Sequence, residues 1–277
     1  MSDRLAGLLN RYTLSARFFF SGALCQDAAF DTAQNVGHLH LIRSGSMSVR
    51  SPEHRTLKIA QPSLLFYPRP TKHHLEVDKK LGVELVCASV EFGAMTGNPL
   101  AQSLPSVLLI PLSELPALSP TLELLFDEAM NERCGRQAAI DRLFELLLIQ
   151  LLRYSIEGQL ANSGLLSGLS DKRLCKAITA MHDDPRESWS VDALARISGM
   201  SRARFAVHFR EVVGITPGEY LAQWRVGLAQ TLLKKGKPVG LVADEVGYGS
   251  ATSLSRAFKA HMGLTPTEWH RKTIEAQ

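Results

Sequence analysis

In the stretch "NVGHLHLIRSG" two histidines, His38 and His40, stand two residues apart. On a β-strand, whose side chains alternate with period two, both imidazoles point to the same face. A second stretch, "FYPRPTKHHLEV", supplies His73 and His74 from what reads as another strand end. Imidazoles converging from two strands can ligate a metal ion, assist a reaction, or bind a guest molecule, so the pattern raises the question of an enzyme. The four cysteines, Cys25, Cys87, Cys134 and Cys175, are scattered with no paired spacing. That spacing argues against a disulfide framework or a thiolate zinc cluster and for reduced thiols.

The elements that must position these residues follow from the hydropathy pattern. At 277 residues, with 45% apolar and 21% charged content, the chain has the composition of a globular protein of two ordinary domains. Between about residues 30 and 110 it reads as short strand-like runs, "GHLHLIRSG", "SMSVR", "RTLKIAQ", "SLLFYP", "HHLEV" and "VELVCASVEF", with Gly, Pro, Ser and Lys between them. Closely spaced short strands predict a small barrel or sandwich. From Ser119 to about Glu157 the period changes to that of two helices around a break at Gly135, a helical hairpin. Its densest run, "LFELLLIQLLRYSI", is interrupted by Glu145, Gln150 and Arg153, so it reads as a buried helix and not a membrane span. The apolar positions from Ile140 to Leu152 are wider than one core contact requires, which predicts a homodimer through this helix. The N-terminus has no secretory pattern, and the expected location is the cytoplasm. "GQLANSGLLSGLSDK" has the composition of a connector, which divides the chain into residues 1–157, a linker at 158–170, and residues 171–277.

The charge divides at the same place. Residues 171–277 carry 16 Lys+Arg against 11 Asp+Glu, a balance of +5, while residues 1–170 carry 15 against 16. A positive field of this size suits a phosphate-binding surface.

The last third also holds a pattern that occurs twice. In "SVDALARISGMSRARFAVHFREVVG", Ser190 can cap a helix with Val191, Leu194 and Ile197 on one face, Gly199 makes a turn, and Ser201 caps a second helix. In "PVGLVADEVGYGSATSLSRAFKAHMG", Pro238 opens a helix with Leu241, Val242 and Val246 inward, Gly247 and Gly249 turn the chain, and Ser250 caps a helix bearing Leu254 and Phe258. Each unit is followed at the same offset by Thr-Pro, at Thr216 and Thr265, opening a further helix. This is helix-turn-helix grammar in duplicate. The helix between the units would span about 28 Å, a spacer able to present two recognition helices to neighbouring major grooves, which repeat every 34–36 Å or so.

The segment from about Leu169 to Lys272, through "ALARISGMSRARFAVHFREVVGITPGEYLAQWR" and "VADEVGYGSATSLSRAFKAHMGLTPTEWHRK", resembles the DNA-binding domain of the AraC/XylS family of bacterial transcription regulators. The first 155 residues or so resemble the cupin-type sensor domain joined to one branch of that family, through "LHLIRSG", "YPRPTKHHL", "VCASVEFG" and "DEAMNERCGRQAAIDRLFELLLIQLLR". The resemblance implies an α+β chain of two domains. A cupin-like β-barrel with a helical hairpin precedes an all-α domain of seven helices with two helix-turn-helix units. It implies transcription control, activation included, in response to an unknown small-molecule effector, with double-stranded DNA and RNA polymerase as partners and no membrane. Carried over by position, Ser201, Arg202, Ala203, Ala206, Val207 and Arg210 form the first DNA-reading set, and Ser250, Ala251, Thr252, Ser255 and Arg256 the second. Arg256 suits a bidentate contact to guanine, and Thr252 and the alanines suit thymine methyls. Arg204, Lys234, Lys235, Lys259 and Lys272 are either phosphate contacts or solvated surface charges.

In the barrel, His38, His40 and His73 match the cupin histidines and are the expected effector site. Ser44 and Gly45 stand where the metal-binding glutamate is expected, and Pro70 replaces a turn glycine, so an oxygen-activating iron enzyme is not expected. If the Cys87 strand lines the same barrel, His40, His73 and Cys87 form a nitrogen and sulfur set suited to zinc, the one cofactor with any support. The rival class is a cupin-type metalloprotein or enzyme with an appended helical domain.

Overall fold

The computed structural model describes residues 3–9, 13–93, 99–159 and 164–275. It divides into two compact units. One comprises Leu14–Gly93 and Leu104–Leu160; the other comprises Met1–Thr13, Ala94–Ser103 and Ala161–Gln277.

Among the described residues the first unit holds nine strands: β1 (Leu14–Leu24), β2 (Ala28–Phe30), β3 (Gly37–Gly45), β4 (Met47–Ser51), β5 (His54–Ile59), β6 (Ser63–Tyr67), β7 (His73–Val77), β8 (Val83–Phe92) and β9 (Leu108–Pro111). They form two antiparallel sheets, one ordered β1-β8-β3-β6-β9 and the other β2-β7-β4-β5. The interior is built by alternation along each strand. Ile42, Leu65, Tyr67, Leu85 and Cys87 from the first sheet meet Met47, Val49, Leu75 and Val77 from the second. Leu39, Leu41, Leu64, Phe66, Val86 and Ala88 take the opposite face of the first sheet and are buried as well. The central strands therefore read as near-continuous apolar runs instead of alternating ones.

Among the described residues there are twelve α-helices, numbered in chain order. The short α1 (Ala6–Leu9) and α2 (Pro99–Ser103) fall within the segments of the helical unit. The hairpin α3 (Ser119–Met130) and α4 (Arg136–Tyr154) belongs to the strand-rich unit. Its turn uses Gly135 at φ 79°, and Arg136 and Gln137 tie it to Ser21 and the Phe18 carbonyl on β1. Of the wide apolar set on α4, Ile140, Phe144, Leu147, Leu148, Leu151 and Leu152 are buried within the chain; Leu146 stays exposed.

The helical unit continues with α5 (Leu165–Ser170), α6 (Leu174–Asp183), α7 (Val191–Ile197), α8 (Arg202–Val213), α9 (Pro217–Lys234), α10 (Val239–Glu245), α11 (Ala251–Met262) and α12 (Pro266–Glu275). From α6 onward these are seven helices. The Gly/Ser-rich stretch read as a connector to residue 170 differs in part, because its end is α5, with Leu165, Leu166 and Leu169 buried. Gly168 has a packing role there: a Cβ on it would lie 2.5 Å from Cδ1 of Ile178 on α6. Among the described residues, α1 and α2 group by contacts with the helical unit. No helix among the described residues is long and apolar enough to cross a membrane.

Candidate functional site

The helical unit positions two reading faces by short-range rules. Ser190 accepts from the Ala193 N–H to start α7, and Ser201 accepts from the Arg204 N–H to start α8. Gly199, at φ 62°, makes the turn between them in a conformation that costs little only for glycine. In the second unit Ser250 caps α11 through the Ser253 N–H, and Gly247 turns the chain at φ 84°. A Cβ at Gly247 would also sit 2.5 Å from the Pro185 carbonyl oxygen. Thr216 with Glu219, and Thr265 with Glu268, form matching capping boxes at the starts of α9 and α12.

Between the units, α9 has 18 residues and is about 27 Å long at 1.5 Å per residue. Its first half packs on the first helix-turn-helix pair and the helix before it. Tyr220 meets Phe209 edge-on at 5.7 Å between ring centroids, and its hydroxyl lies 2.6 Å from Nε2 of His182. Its second half supplies Val226, Ala229 and Leu233 to a core with Val242, Leu254, Phe258 and Trp269. One helix therefore belongs to both cores. Arg225, from its middle, donates to the Pro185 and Glu187 carbonyls and lies over the Tyr248 ring, joining the approach to α7 to the turn before α11.

With Phe205 and Phe209 fully buried, α8 presents Arg202, Ala203, Val207 and Arg210 to solvent, while Ala206 is half-buried. Val207 is 59% exposed, an unusual place for a β-branched apolar side chain unless a partner covers it. Arg202 is paired with Asp192 at 3.2 Å. On α11, Leu254 and Phe258 are buried, Ala251, Thr252 and Arg256 are exposed, and Ser255 is half-buried. The reading face of α11 thus carries an exposed guanidinium, in no ion pair among the described residues, beside small side chains.

In the barrel, the two sheets bring the histidines together. His40 on β3 and His73 on β7 face each other, Nε2 to Nε2, at 3.0 Å. The other His40 nitrogen, Nδ1, lies 3.0 Å from Cys87 Sγ on β8, the residue opposite it in the ladder. Nδ1 of His73 lies 2.8 Å from the Thr71 carbonyl oxygen. A carbonyl only accepts, so Nδ1 of His73 carries the proton, and in the neutral ring that burial favours its Nε2 accepts. His40 must then donate from Nε2 and accept from the Cys87 thiol at Nδ1. All three groups are neutral in this chain of donors. Burial agrees: it holds His40 well below the ordinary histidine value, helped by His73 and His38, and brings His73 to about 4 against the lift from Thr71. The same desolvation pushes the Cys87 thiol well up.

The network bears on the expected zinc set. His40 sends its two nitrogens in opposite directions, so as arranged His40, His73 and Cys87 do not present three donors to one point. No group of three His, Cys, Asp or Glu side chains among the described residues is placed to hold a metal ion. Ser44 and Gly45, at the position of the missing glutamate, are exposed at the end of β3.

His38 lies beside the network, 5.4 Å from His73 and 5.0 Å from Phe30 between centroids. Its Nδ1 and the Tyr67 hydroxyl are both buried with no hydrogen-bond partner among the described residues. Burial raises the Tyr67 phenol to about 12. Tyr67 and Phe30 stack on the two sides of His73, at 4.1 and 4.8 Å. Sequence reading missed Phe30, Tyr67 and Thr71, because their part in the site depends on which strands pair. Tyr67 stands opposite His38 in the β3–β6 ladder, and Phe30 opposite His73 in β2–β7.

Residues 3–157 match the family described as Cupin, and residues 194–272 match a family described as Helix-turn-helix domain. An uncharacterized HTH-type transcriptional regulator of Haemophilus influenzae is 35% identical over 176 residues, 63% of this chain and 58% of its own. A Streptomyces antibioticus protein described as an AraC-like transcription regulator is 33% identical over 193 residues, 68% of this chain and 64% of its own. The HTH-type transcriptional regulator MtrA of Neisseria gonorrhoeae is 26% identical over 269 residues, covering 87% and 88%. The chain spans less than two thirds of the length of the first two relatives.

Proposed function

Because the chain belongs to the AraC-type regulators that join a cupin domain to a helix-turn-helix domain, we propose that it is a sequence-specific, effector-responsive regulator of transcription. The observation that carries this reading is the pair of exposed faces on α8 and α11, held by a single helix that packs into both cores. Arg256 reads guanine through a bidentate contact, worth about 1–3 kcal/mol of discrimination, and Thr252 and the alanines meet thymine methyls. Ser201 and Ser250 act first as caps, and the helix ends they complete face the phosphates. RNA polymerase is the partner through which a bound activator acts, in the cytoplasm.

Selection of duplexes from a random library with the full chain tests the reading. The enriched sequences should hold two half-sites about one helical turn apart. Arg256→Ala should relax preference at one base and leave affinity for unrelated DNA within about threefold. Equal affinity of the wild-type chain for all duplexes would end the claim of specificity.

The barrel is the sensor. His38, His40 and His73, with the Tyr67 hydroxyl that has no partner among the described residues, form a polar spot inside an apolar interior, the composition of a small-molecule site. It detects a ligand without turnover. In a thermal-shift screen of small polar compounds against the full chain, hits should disappear in His38→Ala and His73→Ala while DNA binding persists. Self-association through the α4 ridge at Leu143, Leu146 and Ile149 supplies the second copy expected of a regulator that reads paired sites. Sedimentation at micromolar concentration should give a dimer, and Leu146→Glu should give a monomer.

A further inference from the structure

Beside the reading face of α8 is an open cleft of about 320 Å³ lined by Asp171, Lys172, Arg173, Met200, Arg204 and His208. Its walls come from the α5–α6 turn, the α7–α8 turn and one flank of α8, so it lies wholly within the helical unit. The cleft holds three cations and one carboxylate, and the carboxylate is already committed. Oδ1 of Asp171 accepts from the backbone N–H groups of Arg173 and Leu174 at 2.8 and 2.9 Å, fixing the turn between α5 and α6. Its Oδ2 meets Nε2 of His208 at 2.7 Å, bracing α8 against that turn.

What sets these cations apart from the unit's other exposed charges is that they gather around one concavity beside α8. Among the described residues, Arg202 is held by Asp192, Lys237 by Glu245, and Arg225 by two carbonyls. No ion pair among the described residues engages Lys172, Arg173 or Arg204, and all three side chains are exposed. Three uncommitted cations around one concavity repel one another unless an anion joins them. At 100° per residue, Arg204 and His208 share the flank of α8 adjoining the face that carries Ala203 and Val207. When a recognition helix enters a major groove, the sugar-phosphate backbone lies along that flank.

We propose that Lys172, Arg173 and Arg204 grip a backbone phosphate of the duplex that α8 reads. Lys172 acts as a mobile point charge, while Arg173 and Arg204 offer forked donors matched to two phosphate oxygens. Asp171 and His208 are positioning residues, holding the turn and the helix at the spacing the grip needs. The contact carries no base information and sets the register of α8 on the DNA. This inference rests on the DNA-binding reading above.

The test uses the full chain, a duplex enriched from a random library, and a random-sequence duplex of equal length, with affinity measured against salt. Each lost phosphate contact should flatten the slope of log affinity against log salt by about 0.9 and weaken binding about tenfold at 0.1 M salt. Lys172→Gln/Arg173→Gln, and separately Arg204→Gln, should do this equally on both duplexes, leaving their affinity ratio unchanged. Lys79→Gln/Lys80→Gln, which removes two charges from an exposed turn of the barrel unit, should leave the slope as it is. The phosphate grip is overturned by a wild-type slope in the cleft variants, by a changed affinity ratio, or by an equal effect of the barrel control. A wild-type chain that binds neither duplex instead overturns the DNA-binding reading itself.

Discussion

Lowering the pH from 7 to 5 should loosen the barrel at its histidine network. In the donor chain from Cys87 through His40 and His73 to Thr71, each acceptor nitrogen is filled by a neighbour's proton, so protonating His73 breaks its bond from His40. Burial holds the His73 value at about 4, against 6.5 for the free side chain. Between those values the unfolded chain binds a proton that the folded barrel refuses. Stability therefore rises with pH across that window and is lost as pH falls from 6.5; below about 4 the folded barrel is protonated too, and the loss stops. A gap of about 2.5 corresponds to roughly 3 kcal/mol in full, of which about 2 kcal/mol falls between pH 7 and pH 5. His40, depressed by burial and by His73 and His38, acts in the same direction. Hydrogen exchange read by mass spectrometry on peptides covering residues 37–45 and 73–77, corrected for the intrinsic pH dependence of exchange, measures the effect directly. The opening constant of these strands should rise about 30-fold between pH 7 and pH 5. His73→Phe keeps the stack between Phe30 and Tyr67, so it should lower protection by about 1–3 kcal/mol at pH 7, through the unsatisfied His40 and Thr71 groups. It should also flatten the pH response. Equal corrected protection of the wild type at pH 7 and pH 5 would refute the neutral network.

Three further outcomes concern the helical unit. Phe258→Ala empties a fully buried site beside Trp269 and should cost about 3–5 kcal/mol in urea unfolding followed by tryptophan fluorescence. Gly247→Ala combines a left-handed backbone at φ 84° with a Cβ placed 2.5 Å from the Pro185 oxygen. It should destabilise by more than about 1 kcal/mol in calorimetry, whereas Gly249→Ala, where a Cβ meets nothing within 4 Å, should cost less. Thr216→Ala removes the hydroxyl that accepts from the Glu219 N–H and should lower stability by about 1 kcal/mol in the same unfolding assay.

What could be read from the chain without its structure divides by the range of the forces involved. The helix-turn-helix pairs were legible because their signals act within four residues. Ser190, Ser201 and Ser250 satisfy amide groups three positions on, Gly199 and Gly247 take backbone that other residues resist, and Thr216 and Thr265 build identical boxes. Such rules need no knowledge of the distant chain. The helix α5 was hidden for the opposite reason. Its glycine and serines mark a loop by propensity, and close contact with Ile178 on α6 and Val213 on α8 explains why Gly168 belongs in a helix. The barrel lies between these cases. Period-two spacing puts His38 and His40 on one face, but whether His40 meets His73, and through which nitrogen, depends on sheet facing and on the Thr71 carbonyl. That dependence matters for chemistry. The same three side chains that read as a zinc set in one dimension form, in three, a line of hydrogen bonds with its donors used in sequence. The cleft beside α8 shows the same limit, since Lys172 and Arg173 stand about thirty residues from Arg204 and look like ordinary surface charges. It takes the Asp171–His208 contact to bring them around one space. Functional groups assembled by tertiary contact therefore have to be sought in the fold, even where the domain that bears them is plain in the sequence.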